Sequence, residues 1–397
     1  MSELSFHVSS RSRTLPIFLI ALGAGVAIYG VLAAPERTWP NLLLDGFYIA
    51  SLGISAIFFL AVTRVAGARW SANLRRVPEA LSGILPIAAV LLALVFFGRH
   101  TLFPWTRPNY FANASPIAGN AHYLNPSWAF GRMAVTLAAW IFFAWLFRRT
   151  SLSQDRNPKS SLAIHYRLNR YSVFFLLVFA LTFTFSVFDW LLSLDPRWSS
   201  TMFAFYAFAG TFVQGIAAIT LAVVILKERG TLTSVGEHQL HDLGTMLFAF
   251  TIFWAYIWTC QYLLIWYGNI PDEITHYLKR TNGPWLYLFA LNFILNWIVP
   301  FLTLLSIRAK KTPKVLKIIC VVLLVGHWLD LYLLITPSLW QKPQFGVTEI
   351  VIAAGYMALL YLVFIRSLQK APLAPLHDPI LAYEQVQQVY TAELHTS

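Results

Sequence analysis

HDLGTMLFAFTIFWAYIWTCQYLLIWYGNIPDE, residues 241–273, decides the class of fold. Between Asp242 and the Asn269/Pro271 exit, about 28 residues are almost wholly apolar. At a helical rise of about 1.5 Å per residue they outreach a hydrocarbon core of about 30 Å. Backbone N–H and C=O groups cannot stay unpaired in lipid, so such a run must be a helix. Its polar exceptions are His241 and Asp242 at one mouth and Gln261 inside. Polar groups are costly there and point to function.

Nine further runs of similar character flank this one. The ten expected spans are residues 14–34, 41–65, 78–98, 126–148, 170–194, 199–226, 240–268, 284–308, 314–337 and 346–368. With 58% hydrophobic and 12% charged residues, the 397-residue chain is not a soluble globular protein. The expectation is an all-α integral membrane protein, one polytopic domain over 1–397 with a tail at 369–397.

The net charge of +12 raises the question of nucleic acid. Its distribution answers otherwise. With the N-terminus inside, only Arg37, Arg99, Arg107, Arg132, Arg197, Lys279, Arg280 and Lys342 of the 29 Lys and Arg fall outside. That is the positive-inside asymmetry, so both termini are expected in the cytoplasm, with lipid as a partner and no nucleic acid. The first run is too long for a signal-peptide core, and Pro35 follows its small residues, so it is read as an uncleaved helix. Cys260 and Cys320 fall inside spans without metal or haem-attachment spacing and read as buried thiols. Trp39, Trp105, Trp128, Trp190, Trp198, Trp266, Trp285 and Trp340 fall near outer ends and read as an interfacial belt. Residues 99–125 read as an ordered outer cap or docking face, 149–169 as a solvated connector, and the Pro-rich tail as an arm lying on a partner.

Helix direction places the remaining polar groups by depth. Asp45, Arg132 and Asp189 fall near the outer side of spans two, four and five. They could form a carboxylate–guanidinium site for a quinone head group or a proton; an Arg132–Asp189 ion pair fixing helix packing is the plainer reading. Asn292 and Asn296 share a face of span eight, and His327 and Asp330 share a face of span nine near mid-membrane. Together with His241 and Asp242 they sketch a relay from the inner mouth, histidine being suited to it because it titrates near neutrality. Interhelical hydrogen bonding is the alternative for the asparagines, and helix capping for His241 and Asp242. Glu79 and Glu349 read as helix-terminus residues that favour the macrodipole. No two histidines lie at matching depth on facing spans, so no haem is expected in this chain.

Residues 189–215, DWLLSLDPRWSSTMFAFYAFAGTFVQG, and the 241–273 segment resemble the polytopic membrane subunits of bacterial alternative complex III. These belong to the NrfD/polysulfide-reductase membrane-subunit family, and the length and short N-terminus resemble the ActF type. The resemblance implies two four-helix bundles plus two peripheral helices in a bacterial inner (cytoplasmic) membrane. It also implies a quinol:cytochrome c or copper-protein oxidoreductase, in which this chain is not catalytic alone. The implied partners are an ActC-like membrane subunit, an iron–sulfur protein, multihaem cytochromes c and small membrane subunits. Those partners would hold the haem c and iron–sulfur clusters, leaving this chain assembly, a proton path or a quinone site. By position in the resembling segments, Asp189, His241, Asp242 and Gln261 carry over. A secondary transporter and a purely structural scaffold are the competing classes. Transporters tend to break their helices at mid-membrane, whereas the prolines here cluster at span ends, Pro86 and Pro300 partly excepted.

Overall fold

The computed structural model describes residues 11–111, 122–373, 375 and 377–381. Every regular element among them is helical. Ten helices are long and apolar enough to cross a membrane: Arg13–Ala33, Pro35–Val65, Arg76–Leu102, Pro126–Arg156, Pro158–Leu194, Met202–Glu228, Glu237–Gly268, Trp285–Leu304, Pro313–Ser338 and Val347–Leu368, here spans one to ten. The chain is an all-α polytopic membrane protein.

Spans two to five pack as one four-helix group and spans six to nine as a second. Spans two and six join the groups, and span two is the most enclosed of the ten, nearly all of its apolar stretch lying buried. Close approach along that seam depends on Gly215, where a Cβ would sit 2.1 Å from Ser55 Oγ. Spans one and ten pair with each other at the edge, and a Cβ on Gly23 would lie 3.0 Å from Gly355 Cα. Without a hydrophobic force between helices in lipid, small residues of this kind let backbones approach closely enough for dispersion to hold them.

Two regions depart from a smooth span. Span eight carries a π-helical turn at Ile294–Ile298, followed by Pro300, which has no N–H to return to the carbonyl of Asn296. Between spans seven and eight, Asn269 turns left-handed at φ +47° and ends span seven, and an amphipathic surface helix runs Pro271–Thr281. Proline at its first position, Asp272 and Glu273 in its first turn and Lys279 and Arg280 in its last suit the helix dipole. It buries His276, Tyr277 and Arg280 against the second bundle.

The structure corrects several expectations outside the site. The 149–169 connector is mostly helix: span four runs to Arg156, and a 3₁₀ turn at Pro158–Ser160 leads straight into the next helix. Polar residues here extend the helices past the apolar zone instead of breaking them. Trp128 and Trp266 are exposed as a belt requires, but Trp105, Trp190, Trp198, Trp285 and Trp340 are buried, with Trp198, Trp285 and Trp340 donating their indole N–H to main-chain carbonyls. The described part of the tail lies on its own chain, with Asp378 buried against Arg75 and the His377 carbonyl bonded by Ser161. Residues 382–397 and the 112–121 part of the cap fall outside the described residues.

Candidate functional site

Asp330 is the point on which the second bundle converges. Its Oδ1 accepts from the Tyr206 hydroxyl of span six and from Asn292 Nδ2 of span eight at 2.8 Å. Its Oδ2 accepts from Trp254 Nε1 of span seven at 3.2 Å. All four helices of the bundle thus contribute to one buried carboxyl. A polar group in so apolar a setting needs such partners, because each lost hydrogen bond would leave a desolvated atom.

His327, one turn earlier on span nine, is also buried. Its Nδ1 lies 3.8 Å from Asp330 Oδ2, and neither ring nitrogen has a hydrogen-bond partner among the described residues. A movement of under about 1 Å brings the pair to hydrogen-bond length. Asn296 Nδ2 donates to Asn292 Oδ1 at 2.6 Å and to its carbonyl at 3.1 Å, so Asn296, Asn292 and Asp330 form a continuous chain. Two glycines make room for it. A Cβ on Gly210 would stand 3.2 Å from Asp330 Oδ2, and one on Gly326 would stand 2.5 Å from Asn296 Oδ1.

From Tyr206 and Asn292 the polar line continues toward the surface helix. A void of about 20 Å³, enough for about one water, is bordered by both residues and by Gln261, His276, Tyr277 and Arg280. Gln261 also borders a pocket of about 710 Å³ at the ends of spans five to seven, lined by Phe188, Ser200, Thr201, Leu264 and Tyr123. Its Nε2 donates to Ser200 Oγ at 3.3 Å. Arg280 is buried with no carboxylate paired to it among the described residues, and it donates to the carbonyls of His276, Leu333 and Leu334 at 2.7, 2.9 and 3.1 Å. Burial pushes its guanidinium down to about 10. His276 stacks on Trp198 at 3.8 Å, and burial, followed by the charges of Arg280 and Lys279, holds its imidazole well below the usual range.

The structure brings together Asp330, His327, Asn292 and Asn296, with Gln261 one void away. It separates the others. Arg132 pairs with Asp189 at 2.7 and 3.1 Å and lies over the Tyr123 ring, but Asp45 is elsewhere. The expected three-residue site is therefore an Arg132–Asp189 pair, and Asp45 instead accepts from Trp328 Nε1 of span nine at 2.8 Å. The side of the helix that Asp45 faces was not readable from its position along the span. His241 and Asp242 lie 3.5 Å from each other, each about one-third exposed. Their described contacts do not reach the Asp330 cluster, and the cap of span seven is made by Gln239 bonding Gly236 N at 2.8 Å.

Sequence reasoning missed Tyr206, Trp254, Arg280 and His276, and it undervalued Glu349 and Glu79. Glu349 is fully buried, paired with Arg37 at 2.6 and 2.7 Å and with Asn41 at 3.1 Å. Glu79 is buried against Arg76 at 2.7 Å and Ser151 at 2.5 Å, and Arg76 also binds Asp155. The signal for both was a charge inside the first turn of a span, where depth is ambiguous. Compared with known proteins, the chain matches no family model, and no curated protein shows significant sequence similarity to it.

Proposed function

We propose that this chain is an ActF-type membrane subunit of a quinol-oxidising alternative complex III, in a bacterial inner membrane with both termini in the cytoplasm, and that its second bundle conducts protons. The observation that carries the proton reading is the convergence of four helices on Asp330, with a neighbouring buried imidazole whose two nitrogens are free. A carboxyl beside an unengaged histidine can accept a proton and hand it on across a sub-ångström movement, and ionisable groups at this depth typically mark such relays. The likeness of residues 189–215 and 241–273 to that family supports the assignment to a respiratory complex. Electrons would pass through haem c and iron–sulfur clusters in partner subunits, so redox events there must drive any net proton movement.

The test is the proton stoichiometry of the purified complex in vesicles during quinol oxidation. Asp330→Asn keeps the shape and is expected to lower protons moved per electron while haem content stays whole. An unchanged stoichiometry in an assembled, active complex would sink the relay. A quinone site is the second reading, favoured by the 710 Å³ pocket with Gln261, Ser200 and Thr201 beside Phe188 and Leu264. Such a pocket offers a few polar groups on an apolar wall, which suits a head group with an isoprenoid tail. Gln261→Leu would then raise the KM for quinol and leave the proton stoichiometry alone.

A further inference from the structure

We propose that Arg280 is an electrostatic barrier that closes the polar line to protons on the side of the surface helix, so that Asp330 exchanges protons by a different route. This rests on the proton-conducting reading. The geometry shows one continuous set of polar groups from the large pocket through Gln261 and the small void to Tyr206, Asn292 and Asp330. Left open, it would short-circuit any proton gradient that the bundle helps to build.

Arg280 stands in the wall of that void. Three main-chain carbonyls anchor its guanidinium, two of them from the residues three and four beyond Asp330 on span nine. Carbonyls hold the group in place but leave its full charge. Asp195, the acidic neighbour on the outer side, is engaged by Lys279 at 2.5 Å. Asp330 directs its oxygens to Tyr206, Asn292 and Trp254 and forms no ion pair with Arg280 among the described residues. A fixed positive charge a few ångströms from a one-water void, at an effective dielectric of about 20, lowers hydronium occupancy there by about tenfold or more. Channels exclude protons and cations with an arginine in the same manner. A guanidinium suits the task better than an ammonium because it does not lose its proton in working conditions.

The experiment measures passive proton leak into vesicles holding the purified chain with its co-purifying subunits, under an imposed pH gradient and without quinol. Arg280→Gln is expected to raise the leak at least tenfold, and Arg280→Gln with Asp330→Asn to return to wild type. A wild-type leak in a correctly assembled Arg280→Gln protein overturns the barrier. A leak that survives the added Asp330→Asn shows that the protons bypass Asp330, which overturns Arg280 as a barrier on the Asp330 line and leaves the relay to its own stoichiometry test. A silent Arg280→Gln beside an Asp330→Asn that lowers the proton stoichiometry overturns the barrier alone. Should Arg280→Gln fail to assemble, Gln261→Glu sets an opposing charge across the void without touching the anchor. A tenfold leak supports the barrier, and a wild-type leak overturns it.

Discussion

His276 lies flat on Trp198 with its Nδ1 unpartnered, in a setting where burial and two nearby cations oppose protonation. Its folded-state pKa is below its unfolded value of about 6.5, so below that pH the unfolded chain binds more protons. Stability contributed by the neutral ring is therefore present above about pH 6.5 and is lost as pH falls, at up to about 1.4 kcal/mol per unit. His276→Phe is expected to flatten the drop in thermal midpoint between pH 7.5 and pH 5.5, measured in detergent. Gly326 gives a second residue-scale prediction. Gly326→Ala forces Asn296 or the π turn to yield, at a cost of about 1–3 kcal/mol, and thermal unfolding of the variant reads it. Asp330, His327, Asn292 and Asn296 were legible because a polar side chain stands out in an apolar run. Tyr206 and Trp254 were not, since their rings fit that run and only one O–H and one N–H betray them.

At the scale of elements, the surface helix and the edge helices carry more than their sequence suggested. The existence of the spans followed from length and hydropathy, which lipid enforces on any backbone. Their faces did not follow, because a helix buried on several sides has no polar stripe to orient it. Asp45 and Glu349 both illustrate this: each meets a helix far away in the chain, span nine and span two respectively. Glu349→Ala strips Arg37 of its partner at the junction of spans two and ten. Because Arg37 is partly exposed, the loss should fall near the lower end for a broken buried pair, about 3 kcal/mol. Thermal aggregation of the detergent-solubilised variant checks this. Arg37→Ala combined with Glu349→Ala is expected to recover part of the loss, since neither charge is then left alone.

Across the whole molecule, two four-helix groups share a seam while their polar centres remain separate. The first holds the Arg132–Asp189 pair, and the second holds the Asp330 line. This division makes mutations in the two centres additive to within about 0.5 kcal/mol in stability, as expected for sites with no shared partners. A double variant of Arg132→Gln and Asp330→Asn, compared with the two single variants by thermal unfolding, checks it. The helical class and the number of spans were readable from the sequence because ten apolar stretches leave little choice. The pairing of bundles was not, since small-residue seams such as Gly215 against Ser55 leave almost no signal in composition.

Spans one and ten are each other's closest neighbours, yet Arg37 and Glu349 stand 312 residues apart. During synthesis the first helix therefore enters the bilayer long before its mate exists. Until span ten arrives, a small-residue face at Gly23 on span one and the guanidinium of Arg37 at the start of span two wait uncovered. The edge pair is the last joint to close, and a chain that stops short of span ten presents the cell with an open one. Quality-control proteases that survey membranes for unpaired polar groups would find that chain at the start of its second helix, not by its missing end.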